Sequence, residues 1–256
     1  SFCEEDNKMS YIALEKCKYL TIEGPKKFKL AKEFNSEIFK NLINLTDESN
    51  TSALSKIIYL FSFSENLKKK YSLFDVPGLE VVLPKILIIK NKNNSWLRIN
   101  AHVEGKSSLR TLIEELWSIR DQILYSKNQK CKNGFNYPMM NNFMNSLELS
   151  THNLKQLINK GIELVDDGIL EKIVLASRVK VELKNKLNLI QILKKLKNNQ
   201  PNTCRYVWRR NSKDITFGAS PEKLFSLSKP NLILEAIAGT VSNDLNKDYL
   251  LTSSKD

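Results

Sequence analysis

Hydrophobic and polar positions change period several times along the chain, and each change predicts an element. Up to about residue 55, short apolar groups alternate with polar loops and no period holds. From Ile57 the pattern turns to strands: I-I-Y-L-F-S-F, then V-V-L-P-K-I-L-I-I from Val81, then W-L-R-I-N-A-H-V from Trp96. Gly and Asn turns between them predict an antiparallel meander. Residues 109–124 place Leu109, Leu112, Ile113, Leu116, Ile119 and Ile123 on one helical face. The chain is expected to divide into an N-terminal region, 1–55, and a domain over 56–256. A polar, Pro-containing stretch at 127–141 is the expected linker or seam within that domain.

Asn142 to Asp167 reads as helix, with Leu154, Leu157, Ile158 and Ile162 at helical spacing, Ser150 or Thr151 as a cap for its later part, and Gly168 as its end. The run I-L-E-K-I-V-L-A-S-R-V-K-V-E-L from Ile169 predicts a long strand, and Leu189 to Leu196 an amphipathic helix ending before Pro201. R-Y-V-W-R-R and D-I-T-F-G-A predict a hairpin across N-S-K, and 231–238 a further strand that Gly239-Thr240 turns out of. The chain opens on Ser1 and stops at Asp256 in a stretch that reads as a continuing helix, so a fragment at both ends is expected.

Composition narrows the function classes. A chain of 256 residues with 41% hydrophobic and 27% charged positions can bury a sizeable core without staples. No apolar run nears the ~18 residues that span a bilayer, and the acidic start, Glu4, Glu5 and Asp6, is no signal peptide. Four scattered cysteines, with no C-x-x-C, predict inert thiols in a reducing, cytoplasmic compartment. His102 and His152 stand far apart, which disfavours a His-rich metal site and a Ser-His-Asp triad. The net charge of +12 is dispersed among Asn residues and reads as a solvated surface rather than a nucleic-acid stripe; a general positive field would also favour capture of a small dianion.

Three strings carry the candidate chemistry. Lys172 opens K-I-V-L-A between apolar neighbours that permit its burial; to act as a base it must be neutral when it acts. Ser220-Pro221-Glu222 has the residue types of an ordinary helix start, with Ser as cap and Glu on the N-terminal dipole. The small residues Gly218-Ala219 before it leave room for something to approach the backbone. Ala238-Gly239-Thr240 offers N–H groups and a hydroxyl that could cradle a carboxylate, and Glu235 is either a pocket carboxylate or a strand-surface charge.

In order and spacing, Lys172-I-V-L, then S-P-E, then E-A-I-A-G-T resembles the chorismate-utilising enzymes: isochorismate synthases, salicylate synthases, anthranilate synthase large subunits and aminodeoxychorismate synthases. The resemblance covers roughly 57–256 and is strongest from Lys172 onward. Ammonia-using members tend to have Gln in place of Lys172 and Arg-Pro in place of Glu235-Ala236; aminodeoxychorismate synthases carry Lys at the position of Ala238. Lys, Glu and Ala here follow the water-adding, isochorismate synthase branch.

That resemblance implies an α/β (α+β) fold, part of a large two-layer β core with helices outside and incomplete at its C-terminus. It implies chorismate as substrate, with no nucleic acid and no membrane as partner. Lys172 would be the base that activates water for attack at C2, and Glu222 the acid that protonates the departing C4 hydroxyl. Ala238, Gly239, Thr240, Gly218 and Glu235 would contact substrate. Mg²⁺ is the implied cofactor, with its ligands expected beyond Asp256 and none in this chain, so the 256 residues alone are expected to be inactive. The product would serve quinone, siderophore or salicylate synthesis. Relatives place Arg directly after K-V-V-L-A, whereas Ser177 stands there and Arg178 follows, so no role is carried to that Arg. Salicylate synthase, an anthranilate synthase component, and a non-catalytic relative or basic binding protein are the alternatives.

Overall fold

The structure is a computed structural model that describes residues 2–5, 9–45, 53–62, 77–103, 109–126, 144–175, 187–211, 214–228 and 230–235. The chain divides into two compact units, Ser1–Ser126 with Ile190–Asp256, and Lys127–Leu189. The expected seam at 127–141 lies outside the described residues.

The first unit is built on a curled antiparallel sheet, and its mixture with helices makes the protein α+β. Its strands are β1 (Phe2–Glu5), β2 (Met9–Ile22), β3 (Ile58–Phe61), β4 (Leu79–Asn91), β5 (Asn94–Ile99), β6 (Cys204–Arg209) and β7 (Ile215–Ser220). Their order is β3-β4-β2-β1-β6-β7, with β5 paired to β4. The predicted meander is therefore modified: β3 and β5 share one edge of β4, β3 pairing at 79–82 and β5 at 86–91, while β2 takes the other edge. The helices α1 (Lys27–Asn41), α2 (Leu109–Ser126) and α4 (Leu189–Asn199) belong to this unit save for Leu189, and α3 (Met144–Asp166) to the second.

β4 is the axis of the core. Leu79, Val81, Leu87 and Ile89 are fully buried. α1 lays Ala31, Phe34 and Ile38, spaced three and four apart on one face, onto Ile22, Leu79, Val81 and Leu83. A second cluster joins Ala13, Leu87 and Ile89, with Met9, Tyr11 and Trp96 packed against it. The proline in this central strand is accommodated by its position. Pro84 lies between the β3 and β5 pairings and opposite Lys16, where β2 shifts register beside Glu15 at φ 55°. The Asn100 side chain donates to the Pro84 carbonyl at 2.7 Å and closes the gap.

Two of the buried charges in this unit, Glu80 and Arg205, are held in ion pairs. Glu80, 2% exposed, pairs with Lys16 of β2 and lies 3.7 Å from Arg210 beyond β6, a contact that the curl of the sheet permits. Arg205 is fully buried and its Nε donates to Glu4 at 3.2 Å; Lys197 of α4 donates to the other oxygen at 2.9 Å.

The helices expected over 109–124, 142–167 and 189–196 are present. On α2, Leu112, Leu116, Ile119 and Ile123 are half-buried, whereas Leu109 and Ile113 of the expected face are exposed. α3 runs through Ser150 and Thr151, so neither caps it: helical bonding continues past both. Among the described residues no helix is long and apolar enough to cross a membrane.

Candidate functional site

The site residues named from sequence fall in both units. In the second unit, α3 ends at Asp166 and Gly168 takes φ +68°, a conformation that favours glycine. The turn is closed by Gly168 N–H donating to the Val165 carbonyl and by Ile169 and Leu170 N–H donating to Leu164, each at 3.0 Å. The next residues run back along the helix. Gly161 admits them: a Cβ there would stand 3.3 Å from Ile173 Cγ2. Between helix and returning segment lies an open groove of about 580 Å³, walled by Ile158, Ile162, Val165 and Leu175, with Lys172 on its border and Asp166 and Glu171 beside it.

Two expectations about this segment are corrected. Residues 169–175 form no strand; β-branched composition predicts one, but among the described residues of this unit there is no strand to pair with, and Ile173 packs against Gly161 of α3 instead. The remainder of the predicted strand, with Ser177 and Arg178, lies outside the described residues. Lys172 is exposed rather than sheltered by its apolar neighbours, because Ile169 and Val174 are themselves 65% and 86% exposed.

In the first unit the predicted hairpin is β6–β7, with Arg209 opposite Ile215 and Tyr206 opposite Gly218. The space left by Gly218 is occupied by that partner: a Cβ at 218 would meet the Tyr206 hydroxyl at 2.8 Å and its ring at 3.0 and 3.1 Å. Tyr206 was legible as this neighbour only by counting register outward from the N-S-K turn. Gly218→Ala is expected to cost about 1 kcal/mol, the low end for overpacking because the part-exposed Tyr206 can swing aside. Urea unfolding should show that loss, and it should vanish when Tyr206 is also Ala; an undiminished loss would exclude Tyr206 as its cause.

β7 ends at Ser220, whose hydroxyl donates to the Glu222 carbonyl at 3.0 Å. Residues 221–225 form no helix, which corrects the capping reading of S-P-E: the chain passes through Pro221 into β8 (Ser226–Ser228) and its partner β9 (Asn231–Ile233). Glu222 is exposed and has no helix terminus to serve. Because Ser226 pairs with Ile233, Glu222 and Glu235 lie on the two arms leaving the same end of that small hairpin, and Glu235 is also exposed. The strand expected over 231–238 is present only at 231–233 among the described residues, and Ala238, Gly239 and Thr240 lie outside them. The structure thus brings Glu222 and Glu235 to neighbouring arms of one unit and gives Lys172 to the other. Among the described residues no three His, Cys, Asp or Glu side chains come together in a way that could hold a metal ion.

The model of a family described as chorismate-binding enzyme matches residues 1–254. The match begins at residue 1, so β1, β2 and α1, ahead of the stretch that carries the motifs, are included in it. Over 85 residues the chain is 32% identical to isochorismate synthase MenF of Haemophilus influenzae, a segment that is 33% of this chain and spans 20% of that relative's length. No solved structure matches the chain. With the match running through Lys172, Gly218, Glu222 and Glu235, the chain belongs to the chorismate-binding enzyme family.

Proposed function

We propose that the protein converts chorismate to isochorismate, adding water at C2 and losing the C4 hydroxyl, an isomerisation overall. The observation that carries this reading is Lys172 at the head of K-I-V-L within the family match, together with Glu235-Ala236 and Ala238 at positions where ammonia-using relatives differ. Lys172 takes a proton from the attacking water and Glu222 gives one to the leaving hydroxyl, which would otherwise depart as hydroxide. After each turnover Lys172 holds one proton more and Glu222 one fewer, and exchange with solvent resets both. The Ser220 hydroxyl bond to the Glu222 carbonyl supports the role by fixing the turn that presents the carboxyl. The chemistry requires both side chains to lose water when substrate is bound, since desolvation favours the neutral forms that act.

Product analysis tests the reading. The intact protein with chorismate is expected to accumulate isochorismate. Salicylate with pyruvate would assign the salicylate synthase reaction instead, and anthranilate from chorismate and ammonium would overturn the use of Lys172 and Glu235 as discriminators. A protein that leaves chorismate untouched, with Mg²⁺ supplied, would be a non-catalytic relative.

A further inference from the structure

Cys3 on β1 and Cys204 at the start of β6 bring their Sγ atoms to 3.2 Å, although 201 residues separate them in sequence. Register explains the approach. Cys3 pairs with Tyr206 and Glu4 with Arg205, so Cys204 lies diagonally from Cys3, two positions along β6. Side chains two apart on a strand share a face, which puts both thiols on the same side of the sheet. Both are half-buried and neither is oxidised. A disulfide holds its sulfurs about 2.05 Å apart, so the contact has to close by about 1 Å.

We propose that Cys3 and Cys204 form a reversible disulfide that fastens β1 to β6. The strand order sets the consequence: β1 is the one strand between β2 and β6, so it joins the β2–β4 part of the sheet to the β6–β7 hairpin. A covalent bond there removes the opening of that joint. Cys17 is placed differently; it packs against the α1 core, and burial pushes its thiol up, which leaves little thiolate.

The oxidant is a small-molecule disulfide such as oxidised glutathione. One protein thiolate attacks a sulfur of that disulfide and expels one thiolate, leaving a mixed disulfide; the second protein thiolate attacks the protein-side sulfur and expels the other. Two protein thiols lose two electrons and two protons, and the small disulfide becomes two thiols.

The test equilibrates the intact protein, carrying Cys17→Ser and Cys131→Ser, in glutathione buffers of rising oxidised fraction, then quenches with a maleimide. Expected is a monomer lighter by two hydrogens, bearing neither maleimide nor glutathione, and a tryptic product joining the Cys3 and Cys204 peptides. Its denaturation midpoint should exceed that of the reduced protein, and Cys204→Ser should abolish the difference. Two maleimides at every buffer ratio, one glutathione on each cysteine, or a covalent dimer would each overturn the proposal. If the double serine variant fails to fold, peptide mapping of the unmodified sequence reads the same linkage.

Discussion

Lys172→Ala and Glu222→Gln are each expected to lower the rate of water addition to chorismate by about 10²–10⁴-fold, the usual worth of a positioned proton transfer. Neither change should unfold the protein. Both side chains are exposed, Lys172 on the border of an open groove and Glu222 beyond the end of β7, and exposed sites away from special backbone tolerate substitution within about 0.5 kcal/mol. The losses should appear in kcat with little change in KM, because the roles proposed for the two groups are on the reacting atoms rather than in ground-state binding. Removing both should cost about as much as removing one if, as proposed, base and acid serve the same exchange. Single-turnover kinetics on the folded variants decide the matter, and near-normal turnover in either one removes that residue from its role.

Glu4→Ala is expected to destabilise the fold by about 3 kcal/mol, out of proportion to a part-exposed residue near a chain end. Arg205 opposite it is 1% exposed, so losing Glu4 leaves a guanidinium charge inside the protein without the carboxylate to which its Nε donates. Lys197, half-exposed on the same carboxylate, is worth under about 1 kcal/mol to the pair by the ordinary measure of surface ion pairs. Replacing Glu4 by Leu and Arg205 by Met together should restore most of the loss, because a buried pair exchanged for apolar residues of similar size is often neutral.

The acid side of the stability curve supplies a second readout. Burial by itself would raise the Glu4 carboxyl, but the Lys197 and Arg205 hydrogen bonds and charges outweigh it and hold the group below its ordinary value of 4.5. A carboxyl lowered in the folded state contributes stability that is complete above its unfolded value. That contribution is lost as pH falls below about 4.5 and through the folded value. The gap between unaltered protein and Glu4→Gln should therefore be full at neutral pH and shrink on acidification. Urea unfolding across pH 3–7 measures it, and a gap independent of pH would show that Glu4 acts through packing alone.

Much of the fold was legible where local pattern and tertiary packing agree. α2, α3 and α4 announced themselves by helical spacing, and the β6–β7 hairpin by its turn residues. β2, the longest strand, was hidden because its alternation breaks in the middle. Met9, Tyr11 and Ala13 pack in one cluster, Leu20 and Ile22 in the other with Cys17 of the bulge, and the register shift between Lys16 and Lys18 moves the alternating set from odd to even positions. A period-2 search cannot cross such a bulge. The segment after Gly168 failed in the opposite direction: it has a strand's composition, yet composition does not supply a partner edge.

For the site, the sequence by itself determined the identity and order of the chemical groups, Lys172, Glu222 and Glu235, and with them the family, because order and spacing in a chain need no coordinates to be read. Only the tertiary structure decided that S-P-E leads into a strand and not a helix, and how closely the Tyr206 side chain covers Gly218. The same holds for β1, whose Cys3 and Glu4 meet Cys204 and Arg205 from the far end of the chain. The β1 contacts join residues 201 apart in sequence, and local pattern carries no information about which distant residue will supply the other half of a contact.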